Sequence, residues 1–130
     1  MTTTGPQRVG STRPPQSAAD ARDAVRELLL RQPQPVPERA VTDALLVTSE
    51  LATNAIRHGG GITACRAAVQ DGQMLIVVED ASDALPRDAG ATAEMPGGHG
   101  WPMVCRLSST VSVSRLPGGG KRVSASVPLY

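Results

Sequence analysis

The chain has 130 residues, a length that suits one domain with a single core. Its formal net charge is +1, with one Trp, one Tyr and no Phe, so neither a basic field nor stacking aromatics argue for nucleic acid. The core must be aliphatic, and no apolar run approaches the roughly 20 residues that cross a bilayer.

Residues 1–16, MTTTGPQRVGSTRPPQ, are rich in Thr, Pro, Gly and Arg. Such a segment buries too little to offset its ordering entropy, so a disordered tail is expected, with the domain proper over 17–130. The tail has no apolar core and does not read as a signal peptide; a cytoplasmic protein is the expectation. Ser17 reads as the N-cap of a helix through AADARDAVRELLLRQ. PQPVP at 33–37 is a rigid connector, and Pro37 suits the opening of the next helix, where a missing N–H costs nothing.

That second helix is predicted over 38–58. Val41, Ala44, Leu45, Thr48, Leu51, Ala52, Ala55 and Ile56 share one face, with Asp43, Glu50, Asn54 and Arg57 opposite. Gly59, Gly60 and Gly61 end it. ITACRAAVQ and QMLIVVED follow as strands joined by Asp71-Gly72, a hairpin signal. Residues 81–98 read as a mobile loop with room for one helical turn, and GHGWPMVCRLS as a short helix entered through glycine. TVSVSRL and RVSASVPL alternate with period two across PGGGK, a second hairpin whose glycine run is read as a turn. Strands cluster beside helices without strict alternation. The expected fold is therefore α+β: a two-layer sandwich with a mixed, mostly antiparallel sheet covered by helices on one face. Cys65 and Cys105 are too few for a disulfide-stapled fold and lack metal-site spacing, so two buried free thiols are expected.

Three places could carry chemistry. Glu50, Asn54 and His58 fall at steps of four and line one stripe. A carboxylate can act as a general base, and an amide oxygen suits Mg²⁺. The same residues equally describe the wet side of an amphipathic helix. Against that, Asn is a poor helix former and three glycines follow at once. Asp80 closes an apolar strand, where a ligand contact or a self-satisfied turn are both open. GGHGW at 97–101 enters a helix whose N-terminus favours anions, but it is neither a P-loop nor a strand-linked dinucleotide fingerprint.

Taken together and in this order, LLVTSELATNAIRHGGG, VVEDASDALP and GGHGWPMVCRL resemble the asparagine box and two glycine boxes of the Bergerat-fold, or histidine kinase-like, ATPase superfamily. Its members include gyrase-type ATPases, sensor histidine kinases and bacterial anti-sigma-factor serine/threonine kinases. The nearest resemblance is to the small stand-alone proteins related to the last group. It spans residues 17–129, and the asparagine box is its specific element.

The resemblance implies roles for matching positions. Asn54 would hold Mg²⁺ bridging the ATP phosphates. Glu50 would be the general base toward a serine hydroxyl or a water. Asp80 would accept from the adenine amino group, with Ser82 where the family usually has glycine. Gly98 and Gly100 would bring backbone amides to the phosphates. Arg57 and His58 would contact phosphate or Mg²⁺-bound water, and Trp101 would stack on the ligand or pack beside it. In the last strand, where the family often carries Thr near the base, the sequence register puts Arg122. The implied function is an ATP-binding regulator: an anti-sigma-factor-type kinase passing the γ-phosphate to a protein partner, a sigma factor or an anti-sigma antagonist, in transcription regulation. No nucleic acid or membrane is implied, and the resembling kinases are often homodimers. The altered glycine boxes leave a second reading open, a non-catalytic module that holds a protein partner with nucleotide as a switch or absent.

Overall fold

A computed structural model of the chain describes residues 7–8, 14–86 and 100–130. Ser17 has an extended backbone, and its side chain accepts a hydrogen bond from Asp20 N–H at 3.1 Å, opening α1 (Ala18–Leu30). After the proline connector, α2 runs over Glu38–His58. The strands are β1 (Gln7–Arg8), β2 (Ile62–Gln70), β3 (Gln73–Asp80), β4 (Thr110–Arg115) and β5 (Lys121–Pro128), and α3 (Gly100–Leu107) precedes β4.

Asp71 and Gly72 both take positive φ, 52° and 74°, which matches the twist of the β2–β3 hairpin. The sheet order is β1-β2-β3-β5-β4, and every described pairing is antiparallel. The expected two-layer α+β sandwich is therefore present. Gln7 and Arg8, inside the segment expected to be a disordered tail, pair with Ala67 and Arg66 of β2. The expected loop has no regular structure from Ala81 to Pro86; residues 87–99 lie outside the described part.

The helices occupy one face of the sheet. α1 packs on α2, α2 lies over β3 and β5, and α3 sits beside α2. Period-two alternation sends Met74, Ile76 and Val78 of β3 and Val123, Ala125 and Val127 of β5 toward the helices. They meet Ala44, Val47, Leu51 and Ala55 of α2, with Val25 and Leu29 of α1 closing the core.

Two features depart from the sequence pattern. Val47 is fully buried although the pattern did not assign it inward, and Ile56 is 39% exposed although it did. At 100° per residue Val47 stands about 60° from Ala44 around the helix, whereas Ile56 stands about 120° away. Only Cys65 is a buried thiol; Cys105 is exposed, one residue past the buried Val104 on α3. Burial pushes the Cys65 thiol up to about 11, with the nearby Arg66 charge pulling weakly the other way.

On the sheet's other face Glu79 is clamped by Arg66 (3.0 Å) from β2 and Arg122 (2.8 Å) from β5. Burial alone would raise the Glu79 carboxyl, but hydrogen bonds from Arg122 and Arg66 outweigh it and hold it below 4.5. A depressed folded value means the unfolded chain binds the proton first. This contribution to stability is therefore complete above the ordinary glutamate range and is lost as pH falls through the lower folded value. Denaturant melts between pH 7 and pH 3 should show that acid decline in the wild type and a shallower one in Glu79→Gln.

Candidate functional site

The predicted helix stripe lies along the second half of α2. Glu50 and Asn54, one turn apart, are half-buried, while Arg57 and His58 in the last turn are exposed. Burial pushes the Glu50 carboxyl above 4.5, and the charge of Arg57 offsets only part of this. The carboxylate is held against the first residue of α3. A Cβ placed on Gly100 would fall well inside 3.0 Å of Glu50 Oε1, Oε2 and Cδ. A side chain there would push the flexible end of Glu50 aside; glycine at position 100 leaves the space in which this carboxylate sits. It also leaves the carboxylate at the helix end that favours negative charge. Trp101, next along, is half-buried and packs against the core.

The other end of the site forms where α2 stops. Gly59 N–H and Gly61 N–H both donate to Ala55 O, at 3.0 and 2.9 Å, which closes the helix. Gly59 O then accepts from Ala81 N–H at 3.0 Å, tying the helix exit to the end of β3. A Cβ on Gly59 would overlap the Asp80 side chain, so glycine is required for the two elements to meet.

Asp80 is 3% exposed and does not stand alone. Lys121 Nζ, on a residue 4% exposed, sits 3.0 Å from Oδ1 and 2.9 Å from Oδ2. Ser82 N–H donates to Oδ1 at 2.9 Å, and Ser82 Oγ accepts from Ala84 N–H at 3.0 Å. The β4–β5 turn braces the same corner. Gly120, at φ +89°, presses on the Asp80 carbonyl, and its N–H donates to Asp83 Oδ1 at 2.8 Å.

The sequence-predicted residues therefore fall into two groups. Glu50 meets Gly100 where α3 approaches α2, with Trp101 next along α3, while Asn54 follows one turn on along α2 and Arg57 and His58 stand exposed in its last turn. Asp80 and Ser82 form the β3 corner. Gly98 lies outside the described residues. One expectation is corrected: Arg122 does not stand beside Asp80. It is opposite Glu79 and on the other face, and Lys121 is the residue opposite Asp80. The reason is parity, since a slip of one residue turns a strand side chain to the opposite face. Sequence reasoning also missed Gly59, Gly120 and Asp83 as parts of this corner. The signal for Lys121 was available. Val123, Ala125 and Val127 are the apolar set of β5, so odd numbers point inward, and Lys121 is the only lysine in the chain.

Over residues 11–127 the chain matches the histidine kinase-like ATPase domain family, and it belongs to that family. Among solved structures it is similar to the blue-light activated histidine kinase of Erythrobacter litoralis EL346. The TM-score is 0.52 and the identity 26%, covering 72% of this chain and 32% of that chain. It is also similar to the histidine kinase domain from the same protein, with a TM-score of 0.54 and 20% identity, covering 99% of this chain and 70% of that chain. The chain thus spans about a third of the full kinase it resembles. No curated protein sequence matches it. The α+β sandwich is the Bergerat ATPase fold, an ATP-binding architecture. Among the described residues, no helix is long and apolar enough to cross a membrane.

Removing one partner of a buried ion pair leaves the other charge uncompensated, at a cost of about 3–5 kcal/mol, whereas a surface pair contributes about 0–1 kcal/mol. Urea unfolding should therefore place Lys121→Met far below the wild type and Arg122→Met close to it, although the two residues are adjacent. Equal losses would mean that Lys121 is not held as a buried counter-ion.

Proposed function

We propose that this chain is an ATP-dependent protein serine/threonine kinase of the anti-sigma-factor type, acting on a protein partner that regulates transcription. The observation that supports it best is the half-buried Glu50 carboxylate pressed against Gly100, one turn from Asn54 on the same stripe. Asn54 offers the side-chain oxygen that a magnesium ion accepts, and such an ion, when bound, would neutralise charge on the phosphates. Gly100, and Gly98 before it, would present backbone N–H groups to the phosphates at the start of α3. Arg57 and His58, exposed beside them, would add positive charge or hydrogen bonds at the outer edge.

In the transfer step the serine or threonine oxygen of the partner bonds to the γ-phosphorus. The bond from that phosphorus to the β–γ bridging oxygen breaks, ADP departs, and the hydroxyl proton passes to Glu50. Positioning supplies most of the acceleration in such a step, with the carboxylate contributing as base. Because burial holds Glu50 above the ordinary glutamate range, the ionised base is lost at a correspondingly higher pH. With labelled ATP and a cognate partner, transfer should fall as pH drops through that raised value. Glu50→Gln should abolish transfer at every pH while changing ATP binding by no more than a few-fold. A variant that transfers normally would remove Glu50 from the role of base.

A second reading has its own observation. Asp80, the residue expected to accept from the adenine amine, is already paired with Lys121. A module that holds a protein partner without turnover, with nucleotide as a switch or absent, accommodates that pairing directly. Trp101 is the only tryptophan and lies on the first turn of α3. A saturable change in its fluorescence on titrating Mg-ATP, lost in Asp80→Asn, supports nucleotide binding, and labelled ATP with a partner then separates transfer from a nucleotide switch. No change in either protein favours the module.

A further inference from the structure

The proposed base contact depends on Asp80, and that carboxylate is already satisfied from within the chain. Lys121 Nζ lies 3.0 Å from Oδ1 and 2.9 Å from Oδ2, and Ser82 N–H donates to Oδ1 at 2.9 Å. Gly59 comes so near that a Cβ on it would overlap the carboxyl group. Asp80 is 3% exposed and Lys121 4%, so neither faces water. A base amine that donates to Asp80 must bring its nitrogen to about 2.7–3.2 Å from one of these oxygens. The Lys121 ammonium already holds both oxygens at that distance. The amine and the ammonium therefore compete for one acceptor.

The competition is unequal. A purine amine donates through a neutral N–H, whereas the ammonium adds its full charge, and at a weakly screened corner the pair of opposite charges is the stronger contact. Separating such a pair leaves a buried charge uncompensated until another donor replaces the lost one. The state that accepts a base is therefore the minor one, and the apparent affinity falls with the fraction of molecules in it. We propose that Lys121 is an internal competitor for the nucleotide base: its ammonium occupies Asp80 in the free protein, and an adenine nucleotide binds only as that side chain swings out to solvent. This rests on the nucleotide-site reading given above and adds to it the residue that sets how tightly the site binds. The sign is distinctive. Removing a cation from a site for an anionic ligand ordinarily weakens binding; removing Lys121 tightens it.

Isothermal titration with Mg-ADP and, separately, with magnesium tripolyphosphate tests it. Lys121→Thr should bind ADP about tenfold or more tightly than the wild type does, the factor set by a competent state populated to about 10% or less. Tripolyphosphate carries no base, and its affinity should not rise in the variant. A folded Lys121→Thr that binds ADP equally or more weakly overturns the proposal, and so does an equal rise for both ligands. Circular dichroism establishes whether the variant is folded; if it is not, the wild type decides. Lys121 is the only lysine in the chain, so acetylation at that position, read by mass spectrometry of its peptide, reports on one ammonium. Saturating Mg-ADP should speed this acetylation by about tenfold or more, the same factor in the open fraction. A rate that stays level or falls means that Lys121 keeps its place while ADP binds, which overturns the proposal but not the nucleotide site. If ADP binds no folded protein tested, the nucleotide-site reading fails and this inference with it.

Discussion

One buried charge organises the open end of this sandwich. A carboxylate taken out of water costs several kcal/mol unless it is paired and hydrogen-bonded. Asp80 meets that requirement with two groups from two places, the Lys121 ammonium from the neighbouring strand and the Ser82 N–H from its own turn, and the Gly59 backbone is drawn over it. Satisfying the charge fixes where α2 must stop, where β3 must end and how the β4–β5 turn must fold back. Glycine at 59 and at 120 is the steric condition for all three to converge.

Helix α2 then separates two chemically distinct ends. From Glu50 to the C-cap Gly59 the helix advances about 13 Å at 1.5 Å per residue. At one end stand an acid, an amide and the first turn of α3; at the other stands a neutral ion pair under a glycine exit. The helix acts as a spacer with each end built by different partners. Between those ends the strands beneath it turn apolar residues inward, Met74, Ile76 and Val78 of β3 and Val123, Ala125 and Val127 of β5.

Much of this was legible in the residues. The helix from 38 to 58 appeared where the 3.6-residue pattern and Pro37 put it, and the Asp71-Gly72 hairpin where two positive-φ residues were called for. The order of elements was enough to separate a layered α+β fold from a doubly wound sheet. Glu50 and Asn54 were singled out because a stripe of polar residues and a glycine run are local signals, and the structure makes both half-buried. What escaped was non-local. Lys121 and Asp80 are 41 positions apart, and their pairing depends on the strand register, which loop length alone does not set. Gly59 looked like an ordinary helix stop because the side chain it makes room for arrives from another strand. Ile56 misled for a related reason: its angle around the helix lies beyond the width of sheet and helix available to cover it.

The two thiols of the chain occupy opposite chemical situations. Cys65 is sealed in the sheet with its ionisation displaced to about 11, so little thiolate exists near neutral pH. Cys105 is open to solvent on α3, the helix whose first residue rests against Glu50. An electrophilic dye would consequently attach at a single place without any engineered cysteine, and that place rides on the element whose approach to α2 completes one end of the site.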